Sequence, residues 1–225
     1  MGKYYEAYDN RYKRIHEDGL LWFQSIPTKE LLEWISFNNI QKKERICEIG
    51  CGEGRDSIFL AEQDYQITGV DISSEALKTC EEISQKKNLA IEWIKADFVD
   101  KVEIASGSYQ WVYSIGTLHM LVEDKDRIRF LKNIYKIMDT EGKLLLVNKG
   151  DGELEVRTSP ENAFMLAERF HYMDNKKYLI EETSFCRKNW INHIKEVEEA
   201  GFKIEKMYNS LNDIYDDCMI IYATK

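Results

Sequence analysis

The sequence predicts an α/β fold, a mostly parallel sheet with helices on both faces. Three observations carry this. The middle of the chain alternates short β-rich runs with helical patterns, the mark of βαβ units. The first β-rich run ends in a glycine-rich turn that opens a helix. The last two β-like runs are joined by only about ten residues, too few for a parallel crossover, so they pair as an antiparallel hairpin.

The elements follow in order. Residues 1–40 precede the alternation and carry an aromatic stripe, Tyr4, Tyr5, Tyr8 and Tyr12, then a helix opening at Thr28 after Pro27. Strands are expected at 45–49, 66–70, 90–94, 110–114 and 143–148. Between them, Ser73 is an N-cap for a helix burying Leu77, Cys80 and Ile83. A second helix shows Ile128, Leu131, Ile134, Tyr135 and Met138 at spacings of three and four, with Glu141-Gly142 as its end. Residues 149–186 interrupt the sheet after its fifth strand. They hold Phe164, Phe170, His171, Tyr172, Tyr178 and Phe185 among charges and read as a cap inserted above the strand ends. Trp190, Ile191, Ile194 and Val197 mark another amphipathic helix, stopped by Ala200-Gly201; strands at 202–208 and 218–223 complete the sheet, the last running against the rest. Residues 1–225 are read as one domain.

Composition narrows the function. At 225 residues, 44% hydrophobic and 32% charged, the chain has the balance of an ordinary globular protein. A net charge of −9 argues against nucleic acid or an anionic membrane as partner and favours a small molecule. No apolar run approaches the ~20 residues that span a bilayer. The first residues lack a secretory apolar segment, so a cytoplasmic protein is expected. Five cysteines without a Cys-x-x-Cys pair and four scattered histidines give no metal site; the thiols read as reduced.

Ligands of open α/β sheets sit beyond the carboxyl ends of the strands. There the first strand meets Gly50-Cys51-Gly52-Glu53-Gly54. The spacing is Gly-x-Gly-x-Gly; a dinucleotide loop would read Gly-x-Gly-x-x-Gly, which disfavours a nicotinamide dehydrogenase. Asp71, at the end of the second strand, stands where a carboxylate accepts both hydroxyls of a ribose, or it simply begins the turn before Ser73. After the third strand comes Lys95-Ala96-Asp97-Phe98, an acceptor for an adenine amino group beside an aromatic.

The string Cys47-Glu48-Ile-Gly50-Cys51-Gly52-Glu-Gly54-Arg-Asp56, then Gly-Val-Asp71-Ile72-Ser, then Ala-Asp97-Phe98, resembles the class I S-adenosylmethionine-dependent methyltransferases. The resemblance implies a Rossmann-like, doubly wound sheet of seven strands, the last antiparallel, and S-adenosyl-L-methionine as cofactor. It implies that the glycine loop of Glu48, Gly50, Cys51 and Gly52 faces the methionine moiety, that Asp71 and Ile72 hold the ribose, and that Asp97 and Phe98 flank adenine. It places Ser114 and Ile115, after the fourth strand, near the methionine part by their backbone. Asp9-Asn-Arg-Tyr12 with Gly19-Leu-Leu-Trp22 is similar to the small methyltransferases of the tellurite-resistance and thiopurine type, whose N-terminal aromatic segment is a lid. Tyr12 and Trp22 then either close on the sulfonium, whose charge favours an aromatic face, or pack on the core.

Methyl transfer from a sulfonium asks chiefly for alignment and desolvation, and needs a base only where the acceptor must lose a proton. His119 is the titratable group after the fourth strand that could serve, or it holds a loop. The segment lacks the Asn/Asp-Pro-Pro-Tyr type of motif that amine methylation of bases or glutamine uses. His171 and Tyr172 are candidate acceptor contacts in the cap. Arg55-Asp56 either meets a ligand carboxylate or is a solvated pair. The charged runs 81–87 and 195–199 read as solvated helix faces. The expectation is a monomeric or homodimeric enzyme methylating O, N or S of a small molecule. The alternatives are a non-catalytic protein that binds the same cofactor, and a non-methyl transferase that uses it.

Overall fold

The structure, a computed structural model, describes residues 2–22, 26–171 and 176–225. In chain order, α1 (Ala7–Glu17) and α2 (Lys29–Phe37) precede β1 (Arg45–Ile49), α3 (Arg55–Glu62), β2 (Gln66–Asp71), α4 (Ser74–Lys87) and β3 (Glu92–Lys95). There follow β4 (Tyr109–Ile115), α5 (Asp124–Ile137) and the long β5 (Met138–Lys149). The outer segment holds β6 (Val156–Arg157), β7 (Leu166–His171), β8 (Lys176–Glu181) and β9 (Cys186–Arg187); α6 (Trp190–Glu199), β10 (Lys203–Asn212) and β11 (Asp216–Thr224) close the chain.

Seven strands form one sheet in the order β10-β11-β5-β4-β1-β2-β3. The inner pairings are parallel, while β11 runs antiparallel to both β5 and β10. Alternation along the strands feeds two cores. In β5, Leu144 and Leu146 join Phe130, Leu131, Ile134 and Val197 on one face, while Leu145 and Val147 join Leu31, Trp34, Ile46 and Trp111 on the other. The predicted sheet and its reversed last strand are therefore observed. The described residues between 156 and 187 lie outside that sheet and include two small antiparallel pairs, β6 with β9 and β7 with β8. Their β8 is tied to α1, since Arg11 donates to the Glu181 carbonyl and Arg14 to its carboxylate.

Two local readings are corrected. The helix expected to end at Glu141-Gly142 ends at Ile137, and the chain enters β5 at once. A register shift against β4 absorbs the intervening residues, so Met138 opens a strand and does not close a helix. In α6 only part of the apolar stripe is buried. Ile191 is 77% exposed, while His193, Glu196 and Val197 are buried, so the run 195–199 is not wholly solvated.

The reason is electrostatic. Arg127 of α5 donates through Nε and Nη2 to the Glu196 carboxylate (2.7 and 2.6 Å) and through Nη1 to the carbonyls of Leu118 and Leu121 (2.6 and 3.0 Å). Desolvation of both charges is repaid only by such complete pairing. Burial alone would raise the Glu196 carboxyl; the hydrogen bonds and charge of Arg127 outweigh it and hold the group well below the usual carboxylate range. A depressed carboxyl contributes stability above its ordinary pKa and loses it as pH falls. Glu196→Gln is therefore expected to cost about 3–5 kcal/mol at neutral pH, the toll of leaving Arg127 unpaired. Urea unfolding measures it, and the gap between variant and wild type should narrow on acidification below about pH 4.5.

Candidate functional site

The sheet reverses its order at β1, which has β2 on one side and β4 on the other, so a crevice opens beyond their carboxyl ends. The glycine loop turns into it. Gly50 and Cys51 donate their N–H groups to the Val70 carbonyl at 2.7 and 3.0 Å, which fixes the turn to the end of β2. Gly50 (φ +78) and Gly52 (φ +52) adopt conformations that side chains rarely take. A Cβ on Gly50 would collide with the Thr117 hydroxyl, and one on Gly52 would stand 2.7 Å from the Tyr12 hydroxyl. The resulting cleft has about 920 Å³ of empty space, its mouth included.

The motif residues converge on this cleft. Glu48, Gly50, Cys51, Gly52, Asp71, Ile72, Asp97, Phe98, Ile115 and Tyr12 all line it. Asp71 accepts from the Gly52 N–H and the Ser73 N–H, each at 2.8 Å. Burial pushes its carboxyl up, and those N–H groups pull it back. Glu48 accepts from Ser57 (2.5 Å) and Tyr113 (3.0 Å), and burial together with the Asp56 charge raises its carboxyl. Asp97 Oδ1 accepts from the Val99 N–H (2.8 Å), while Oδ2 takes the Tyr5 hydroxyl (3.1 Å) and the Lys3 ammonium (2.5 Å).

Residues 46–142 match the profile of a family described as a methyltransferase domain. Those residues form a methyltransferase domain of the class I, S-adenosylmethionine-dependent type. Relatives include the protein YqeM of Bacillus subtilis, 30% identical over 122 residues that cover 53% of this chain and 47% of that protein. They also include phosphoethanolamine N-methyltransferase 1 of Triticum aestivum, 24% identical over 60% of this chain and 26% of that one. The S-adenosyl-L-methionine-dependent Diels-Alderase iccD of Talaromyces variabilis is 28% identical over 59% and 43%. The chain spans about half the length, or less, of these relatives. In fold it is similar to an S-adenosylmethionine-dependent methyltransferase of Methanosarcina mazei, with a TM-score of 0.68 at 20% identity over 85% of this chain and 96% of that one.

The methyltransferase cleft fits its cofactor. The backbone is bare where Gly50 and Gly52 face it, a buried carboxylate closes β2, and Ile72 and Phe98 supply apolar walls. Asp97 departs from the expected arrangement, because an adenine amino group would share Oδ2 with Tyr5 and Lys3 or displace them.

Four predicted residues stand away from the cleft. Ser114 turns toward β1 and donates to the Ile49 carbonyl (2.8 Å). The Trp22 indole packs on the Arg11 guanidinium (5.1 Å) and the His171 ring (5.9 Å), so it belongs to the contact between α1 and the outer hairpin. His171 is buried there too, its Nε2 donating to the Leu21 carbonyl at 2.8 Å. His119 lies behind the cleft, edge-on to Phe185 and Tyr215, and burial pushes its imidazole down to about 3. Tyr172 falls outside the described residues.

Other cleft residues escaped the sequence reading. Thr117 sits over Gly50, and its place directly after β4 was a usable signal. The Tyr215 hydroxyl stands over Gly116, yet nothing in the β10–β11 turn announced it. Arg55 and Asp56 are not solvated. Arg55 lines the cleft, and Asp56 is bound by Arg55 (2.7 Å) and by the N–H and hydroxyl of Thr28 (2.7 and 2.8 Å).

Two outcomes are expected. Asp71→Asn should weaken S-adenosylhomocysteine binding about 10- to 100-fold by calorimetry with the circular dichroism unchanged, the loss of a charged acceptor. His119 has a depressed pKa, so below about pH 6.5 the unfolded chain takes up a proton that the folded one refuses. Stability should therefore fall on acidification from pH 6.5 toward 3, by up to about 1.4 kcal/mol per unit from this group, and His119→Gln should flatten that slope in urea titrations.

Proposed function

We propose that this chain transfers a methyl group from S-adenosylmethionine to a small-molecule acceptor in the cytoplasm. The observation that carries the reading is the glycine loop with Asp71. The loop offers bare backbone to the cleft while its Gly52 N–H is held by the carboxylate suited to the ribose. When bound, the cofactor supplies a sulfonium-activated methyl that an acceptor lone pair displaces in line, the sulfur leaving as a thioether and any acceptor proton passing to water.

The chain's own residues then have mostly positional work. Tyr12 and Thr117 stand with their hydroxyls over Gly52 and Gly50 and roof the loop. Arg55, largely buried and anchored by Asp56, presents a cation at the same end of the cleft, suited to the carboxylate of the cofactor's methionine part. His119 is a poor proton acceptor at neutral pH, since its buried imidazole protonates only near 3. The acceptors best suited to such a site need no strong base: a thiolate, a phenolate-like oxygen or an unprotonated amine. The small outer sheets, β6 with β9 and β7 with β8, are the segment that selects the acceptor, and the net charge of −9 supports a small molecule.

A second reading has a specific support. One relative of this domain is named as an S-adenosyl-L-methionine-dependent Diels-Alderase, so non-methyl chemistry on the same scaffold is the alternative. Calorimetry should show S-adenosylmethionine and S-adenosylhomocysteine binding far better than NAD. Incubation with methyl-labelled cofactor and a metabolite extract should then place label in the small-molecule fraction. Label in protein or RNA would overturn the acceptor class, and binding without label transfer would favour the alternative.

A further inference from the structure

We propose that the methyl acceptor is a primary or secondary amine whose N–H is received by the Tyr12 hydroxyl; this rests on the methyl-transfer reading above. Tyr12 lines the cofactor cleft, its hydroxyl 2.7 Å from where a Cβ on Gly52 would lie. The residue is only 5% exposed, and the hydroxyl makes no hydrogen bond among the described residues. Its oxygen nevertheless stays accessible, and the space it faces is the cleft itself. A polar group so nearly buried calls for a partner, and here a ligand in the cleft supplies it.

The other polar groups of the cleft are engaged. Tyr5 donates to Asp97 at 3.1 Å, and Tyr215 is hydrogen-bonded to Arg55. The Thr117 hydroxyl is turned to the carbonyls of Ile49, Gly50 and Ile115. Beside Tyr12 stands Tyr8, its ring 6.5 Å away, and it too lines the cleft. Phenol oxygens accept N–H groups, which an amine brings. Among the described residues no lysine or histidine lines the cleft, and Arg55 is paired with Asp56 at 2.7 Å, so an anionic acceptor meets no cation of its own there.

Charge points the same way. Five carboxyls line the cleft, Glu48, Glu53, Asp56, Asp71 and Asp97, against one cation, Arg55. Arg55 matches Asp56 and Lys3 matches Asp97, while burial pushes the Glu48 carboxyl up to about 8, so that it keeps its proton at neutral pH. Asp71 and Glu53 remain. Their charges reach Tyr12: burial first, then Asp71 and Glu53, hold its phenol well above the usual range, and Tyr8 and Tyr215 add less. An amine enters neutral and gains positive charge as the methyl arrives, which these carboxylates favour. A thiolate or phenolate would have to enter as an anion against the same charges. In the step, the amine lone pair forms the C–N bond while the bond from methyl to sulfur breaks, its electron pair leaving on sulfur as the thioether. The methylammonium then gives its extra proton to water, so no base is asked of the protein.

The test uses the full chain, S-adenosylmethionine labelled with carbon-13 in its methyl group, and a metabolite extract. The carbon shift of the transferred methyl separates N-methyl from S- and O-methyl products, and an N-methyl product in the small-molecule fraction is expected. Tyr12→Phe keeps the ring and removes the hydroxyl. It should lower kcat/KM for the labelled acceptor by about tenfold or more, while S-adenosylhomocysteine affinity stays within about threefold. An S- or O-methyl product would overturn the proposal. So would a Tyr12→Phe enzyme of unchanged kcat/KM, or one that loses acceptor and S-adenosylhomocysteine alike, since the hydroxyl would then serve the cofactor. A wild type that binds S-adenosylhomocysteine but moves no label to a small molecule would instead overturn the methyl-transfer reading, and the acceptor class with it.

Discussion

The path of the backbone from Gly50 to Gly52 is the constraint on which the rest of the site depends. The turn must carry the chain from β1 to α3 while satisfying its N–H groups on the end of β2, and it does so through left-handed conformations. Neighbouring hydroxyls fill the places where side chains would be, Thr117 over Gly50 and Tyr12 over Gly52. Those hydroxyls come from the loop after β4 and from α1, so two separate stretches of chain close on one turn. Asp71 couples the turn to the end of β2, because its carboxylate steadies both the Gly52 and the Ser73 N–H. A ligand that draws on Asp71 therefore also acts on the shape of the loop.

The N-terminal segment leans on the same elements. Lys3 and Tyr5 bind Asp97, Asp9 accepts from the Ser73 hydroxyl at the start of α4, and His16 meets Glu53 inside the glycine loop. Together they tie the N-terminal segment to the loops that border the cleft. Individually they are weak holds. The Lys3 side chain is 42% exposed, and a solvent-screened pair of that kind contributes about 1 kcal/mol or less.

The elements that place the site were legible, and for a clear reason. Period-two alternation of Leu144, Leu145, Leu146 and Val147 and the glycine spacing are local signals, and local signals survive in a sequence. Glu48, Asp71, Asp97 and Phe98 were found because each sits at a strand end, where chain order predicts position. Apart from the end of α5, the misreadings were long-range. Ile191 looked like core and Glu196 like surface, since nothing within α6 reveals that Arg127, 69 residues earlier, lies opposite. Trp22 and His171 looked like ligand contacts for the same reason; their partners, Arg11 and each other, come from segments that meet only in the fold. Tyr215 was invisible because a turn between two strands has no pattern that says which way its residues reach.

That buried pair also explains why the acceptor side is built as it is. Arg127 holds the carbonyls of Leu118 and Leu121, on either side of His119, and Glu196 holds Arg127. Glu196 further accepts from His193 Nδ1 at 2.7 Å, and His193 meets Asn148 at the end of β5 at 3.2 Å. The chain Asn148–His193–Glu196–Arg127 thus clamps the loop after β4 to two helices and to the sheet. A residue so fixed cannot swing to seek a proton, and its burial keeps it from holding one. What such rigidity does supply is a ring at a constant distance from Tyr215 on the cofactor side and from Phe185 on the outer side. The positions of Leu118, His119 and Leu121 thus depend on Arg127, and through it on two helices and the sheet.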